Sequence, residues 1–69
     1  HPLSEMEGQV LRLTAEGYSN TEIAQMLHIS RGAVDSYRSR GMNKLGLERR
    51  SELVYWALQT GLLTEEPGK

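Results

Sequence analysis

Only three residues, His28-Ile29-Ser30, separate two stretches that each carry a helix-start signal, and that spacing limits the possible folds more than any other feature of the chain. Upstream, Ser19-Asn20-Thr21-Glu22 places a hydroxyl three residues before a glutamate. Such a pair satisfies two free N–H groups at a helix start reciprocally. Ile23, Ala24 and Leu27 then fall on one face, which predicts a short helix over 20–27. Downstream, Ser30 is a good N-cap for a helix beginning at Arg31. Gly46 is the stop signal that ends it near Leu45. Two helices joined by so short a turn form a helix-turn-helix, here Ser19–Leu45.

The remaining segments supply what such a pair packs against. Ser4 and Glu7 repeat the reciprocal cap and predict a helix over 5–16, with Met6, Val10 and Leu13 at helical spacing, Leu11 broadening the stripe and Gly17 ending it. Leu53, Val54, Ala57 and Leu58 predict a fourth helix over about 50–60, ending before Gly61. Leu47 is expected to tuck back against the core, and Leu62 and Leu63 to fold beneath the fourth helix. There is no strand pattern, repeat or low-complexity tract. The expected fold is therefore all-α, a four-helix bundle-like domain over 1–63 with a flexible tail over 64–69. A chain of 69 residues makes one domain at most, burying about 60% of the surface its unfolded form exposes.

Several function classes are set aside by what the chain lacks. It has no cysteine, and its two histidines, His1 and His28, are too few and too far apart for a zinc site, so no metal or other cofactor is expected. With one internal histidine and carboxylates scattered over separate helix surfaces, no nucleophile, base and orienter come within reach of one another, and an enzyme is not expected. The longest apolar run, Leu53–Leu58, is six residues, against about 18 needed to span a bilayer. We expect a soluble, cytoplasmic protein without membrane contact. Because the chain opens His1-Pro2 without a methionine, we also expect a piece of something longer, with its regulatory part elsewhere.

The net charge of −1 conceals a strong asymmetry. Residues 28–50 carry Arg31, Arg38, Arg40, Lys44, Arg49 and Arg50 against only Asp35 and Glu48, a net of +4, between flanks of −3 and −2. Distribution matters more than the total for a nucleic-acid partner. At about 100° per residue, Val34, Tyr37, Gly41 and Leu45 share one side of the third helix, and Gly32, Asp35, Ser36, Ser39, Arg40 and Asn43 the other. That second face has no large apolar residue. Its serine, asparagine and arginine side chains can hydrogen-bond base edges, its small residues let the backbone come close to DNA, and Arg40 is the best candidate for a guanine contact. The plainer reading is a solvated helix face. The chief rival is a helical protein–protein interaction domain without DNA binding, which steep salt dependence of duplex affinity would exclude.

Over Leu3–Leu63 the chain resembles the LuxR-type DNA-binding domain of NarL/FixJ response regulators and quorum-sensing regulators. The residues that carry the resemblance are Leu3-Ser4, Glu7, Val10-Leu11, Ala15-Glu16-Gly17, Ser19-Asn20, Glu22-Ile23-Ala24, Leu27, Ile29-Ser30, Val34, Lys44-Leu45-Gly46, Glu52-Leu53-Val54, Ala57 and Gly61-Leu62. The resemblance implies a transcriptional regulator binding double-stranded DNA as a dimer. Its third helix would lie in the major groove, and its fourth would pair two copies on a two-fold site. It also implies an N-terminal receiver or other regulatory domain in the whole protein.

Residue by residue, the resemblance implies backbone contacts from Lys44 and from Thr21 and Arg31, with Tyr37 and Arg38 grouped alongside them, and base contacts from Asp35, Ser36 and Ser39, joined by Arg40 and Asn43 from the wheel. Asp35 stands where many members have lysine. It either accepts from a cytosine amino group or turns toward Arg31 or Arg38. Tyr37 replaces a common histidine, with a ring suited to the core edge and a hydroxyl that can reach phosphate. Gly41 stands where a core isoleucine is usual, at a cost of about 1 kcal/mol in helix propensity. Local underpacking or a bend is the expected account, close approach by another helix or a partner the alternative. On the fourth helix, Glu52, Tyr55, Trp56 and Gln59 lie outward from Leu53, Val54 and Ala57 and are the expected dimer surface.

Overall fold

In the computed structural model, which describes residues 3–60, both reciprocal caps are formed. Glu7 N donates to Ser4 Oγ at 3.2 Å while Ser4 N donates to Glu7 Oε1 at 3.0 Å. Ser19 and Glu22 repeat this at 3.2 and 2.8 Å. Ser30 caps the third helix by accepting from Ala33 N at 3.0 Å. The resulting helices are α1 (Glu5–Ala15), α2 (Asn20–Leu27), α3 (Arg31–Leu45) and α4 (Arg50–Thr60). No strand occurs among the described residues. The all-α expectation holds, with α1 one residue shorter than anticipated because Glu16 is its C-cap.

The helix ends share one device. After α1, Tyr18 N donates to Leu13 O and Gly17 N to Thr14 O, both at 3.1 Å. After α3, Leu47 N reaches Met42 O at 2.9 Å across Gly46. These are the paired bonds that satisfy the last carbonyls when a left-handed residue follows a helix. Between α2 and α3 the same position is taken by His28, at φ 60°, and Ile29 N donates to Ala24 O at 3.0 Å. The three-residue turn is thus one left-handed residue, one residue returning to the core and one cap.

α1 packs against each of the other helices, and α2 against α3. Val10, Leu13, Ile23, Ala24 and Val34 form the buried cluster, with Leu27, Ile29 and Tyr37 against its margin. On the remaining flank Leu11, Leu53 and Ala57 are fully buried. Leu45, Leu47 and Val54 are half-buried.

At Gly41 the expectation of underpacking is overturned. Gly41 is buried, and a Cβ built there would stand 2.8 Å from Leu11 Cδ1. The missing side chain is replaced by a leucine from α1, so the glycine admits close approach of another helix. The stop residue Gly61, the two leucines expected to fold beneath α4, Leu62 and Leu63, and the expected tail over 64–69 lie outside the described residues.

Candidate nucleic-acid interface

The α3 residues assigned to base edges, Asp35, Ser36, Ser39, Arg40 and Asn43, are all exposed, while Val34 and Gly41 on the opposite side are buried. Asp35, Ser36, Ser39 and Arg40 line one shallow depression. The Arg40 guanidinium stands over the Tyr37 ring, 5.5 Å from its centroid. Because Tyr37 is itself packed against the core cluster, it gives the arginine a fixed platform.

Asp35 turns toward an arginine, and that arginine is Arg38. Arg38 Nη2 donates to Asp35 Oδ1, and Arg38 Nη1 donates to Asn20 Oδ1 at 2.5 Å. Asn20 Nδ2 closes the ring by donating to Asp35 Oδ1 at 3.2 Å. The first residue of α2 is therefore bound to the middle of α3 within a ring of three hydrogen bonds. The Asp35–Arg38 half follows from their spacing of three on a helix. Nothing in the local pattern points to Asn20, whose partners are fifteen and eighteen residues away.

Of the residues assigned to the DNA backbone, Thr21 and Arg31 are exposed near the starts of α2 and α3, and Tyr37 and Arg38 are half-buried. Lys44 is already engaged, its Nζ 2.8 Å from Oε1 of Glu7, which is itself buried. This hydrogen bond, with that from Ser4 N, holds the Glu7 carboxyl below the usual carboxylate range. Lys44 thus ties the end of α3 to the cap of α1. Arg50, at the start of α4, similarly donates from Nη2 to Thr14 O at 3.0 Å, a link not anticipated from sequence.

Along α4, Tyr55 and Gln59 are exposed and Trp56 is half-buried. Glu52 is occupied locally, because its Oε1 accepts from Glu48 N at 2.7 Å and Arg49 N at 3.1 Å and so caps the helix start. Those two backbone bonds lower the Glu52 pKa. Among the described residues no group of three or more His, Cys, Asp or Glu is placed to hold a metal ion, and no helix is long and apolar enough to cross a membrane.

The family described as bacterial regulatory proteins, luxR family, matches residues 1–57. Two similar curated proteins, both called oxygen regulatory protein NreC and coming from Staphylococcus aureus strains JH9 and USA300, are each 44% identical over 61 residues. The match covers 88% of this chain and 28% of each relative, so the chain spans little more than a quarter of the length of these relatives.

Proposed function

Because this chain belongs to the luxR family of bacterial regulatory proteins, and so is a DNA-binding helix-turn-helix domain of a transcription regulator, we propose that it binds a specific double-stranded DNA site as a dimer with α3 in the major groove. The observation that carries this reading is the exposed side of α3, where Asp35, Ser36, Ser39, Arg40 and Asn43 stand together without a large apolar residue. A helix so faced can approach base edges closely, and its arginine and asparagine match the acceptors and donors of guanine and adenine in that groove. Thr21 and Arg31, exposed at the helix starts, would hold phosphates and fix the register.

In this reading two copies pair through the outward side of α4, where Tyr55 is 66% exposed and belongs to a residue type enriched at interfaces. The whole protein would be a cytoplasmic response regulator, with a receiver domain N-terminal to this one controlling its pairing; the greater length of the relatives supports a further domain. The family is one of regulators rather than of enzymes.

Selection of bound duplexes from a random pool, at fixed near-physiological salt, tests the reading. A two-fold-symmetric consensus is expected. Failure to enrich any duplex would overturn it, and an enriched single half-site would remove the dimer.

A further inference from the structure

We propose that Asp35 reads no base but is a positioning residue that withholds Arg38 from the DNA backbone, setting the domain's affinity for duplex of any sequence. This rests on the DNA-binding reading above. Arg38 lies on the flank of α3 that faces the first turn of α2. In a helix-turn-helix the first helix crosses the phosphate backbone beside the recognition helix. An arginine there is placed for a phosphate contact.

In this structure the guanidinium is already committed. One edge donates to Asn20 Oδ1 and another to Asp35 Oδ1, while Asn20 Nδ2 donates to the same carboxylate oxygen. The carboxylate cancels the arginine's charge at short range. The pair is also open to its surroundings, with the Arg38 side chain 28% and the Asp35 side chain 61% exposed. Removing the carboxylate therefore leaves the charge of this partly exposed arginine uncompensated, since its other partner, Asn20, is neutral, and it does not open the core. It leaves Ser36, Ser39, Arg40 and Asn43 where they are. The consequence is a change in backbone affinity with no change in base preference.

Phosphate contacts are counted by salt dependence, each one neutralised steepening the fall of log affinity against log salt concentration by about 0.9. Using the 69-residue chain, Asp35→Ala is expected to raise affinity for a random-sequence duplex severalfold at low salt and to steepen the slope by about 0.9. The consensus selected by the variant should match that of the parent. In an Arg38→Ala background the same Asp35 substitution should leave the slope unchanged, because the released cation is gone.

Three outcomes overturn the inference. One is a slope for Asp35→Ala equal to that of the parent. Another is a steepening that persists without Arg38, which would make it simple repulsion between Asp35 and phosphate. The third is loss of a preference for cytosine at one position, which would make Asp35 a base reader. If the parent chain binds no duplex, the DNA-binding reading falls as well, so the two failures are told apart by the parent alone.

Discussion

Leu11 of α1 occupies the space that a side chain on Gly41 of α3 would need: a Cβ at Gly41 would lie 2.8 Å from Leu11 Cδ1 and 3.2 Å from its Cγ. Leu11 is fully buried and has no solvent-side room in which to retreat. Gly41→Ile is therefore expected to destabilise the domain by on the order of 1–2 kcal/mol, overpacking outweighing the gain in helix propensity. At this chain length that lowers Tm by several degrees. Leu11→Ala alone should cost about 2–5 kcal/mol. In the double variant the two losses should add to less than their sum, since each relieves the other. Calorimetry on the four proteins decides it, and strict additivity would disprove the contact.

The same pair of residues shows where a sequence stops being readable. Helix starts and stops are local chemistry: Ser4 with Glu7, Ser19 with Glu22, and the glycines at 17 and 46 act within a few residues of themselves, so the expected α2 and α3 match the observed ones end for end. Gly41 is different. Periodicity places it on the buried face of α3 but cannot say which side chain of another helix fills the gap, so the expectation of underpacking fails there. The face of α3 is legible because a wheel needs only one helix. The bonds that join helices, Asn20 to Asp35 and Lys44 to Glu7, are not, because each depends on how two helices cross.

His28 holds the turn between α2 and α3 at φ 60°. For a residue with a Cβ this left-handed conformation costs about 1–2 kcal/mol, and glycine recovers it while losing some in unfolded-chain entropy. His28 is exposed and stands outside the core cluster. His28→Gly should raise stability by up to about 1 kcal/mol. His28→Val, β-branched at positive φ, should lower it. Denaturant midpoints in parallel check both, and a destabilised glycine variant would mean that the imidazole makes a contact of its own.

Glu7 links stability to pH. Its pKa is lowered by the Lys44 ammonium and by the Ser4 backbone N–H, so the folded state favours the ionised carboxylate more than the unfolded chain does. The stabilisation is fully present above the ordinary glutamate pKa of about 4.3. It is lost as pH falls through the lower value of the folded state. Urea midpoints should therefore decline below about pH 4.3, with the decline shallower in Glu7→Gln, which has no proton to take up. Lys44→Met should reduce the pH dependence too, by removing the larger of the two causes. An unchanged slope in both variants would show that other carboxylates govern acid unfolding.

The stacking of Arg40 on Tyr37 bears on specificity under the proposed function. Arg40→Ala should weaken binding to the selected site by about 1–3 kcal/mol and relax preference at one base pair, as loss of a bidentate guanine contact would. Tyr37→Leu keeps an apolar side chain against the core but removes the platform under the guanidinium. Its effect should be smaller, about 0.5–1 kcal/mol, and should disappear when Arg40 is already alanine. Titration of matched and mismatched duplexes with the four proteins tests this. A uniform loss across all sequences would make Arg40 a phosphate contact.

Tyr55 separates pairing from docking. It projects from α4, is 66% exposed, and lies outside the buried cluster, so Tyr55→Ala should leave Tm nearly unchanged. If α4 pairs two copies, a central aromatic at the contact should be worth more than about 1 kcal/mol. On a duplex with two half-sites the variant would then lose at least about fivefold in the affinity of the second copy. Binding to a duplex with one half-site should be unaltered, since α3 does the reading there. Loss on both duplexes would place Tyr55 against DNA, and loss on neither would move the pairing surface away from this side of α4.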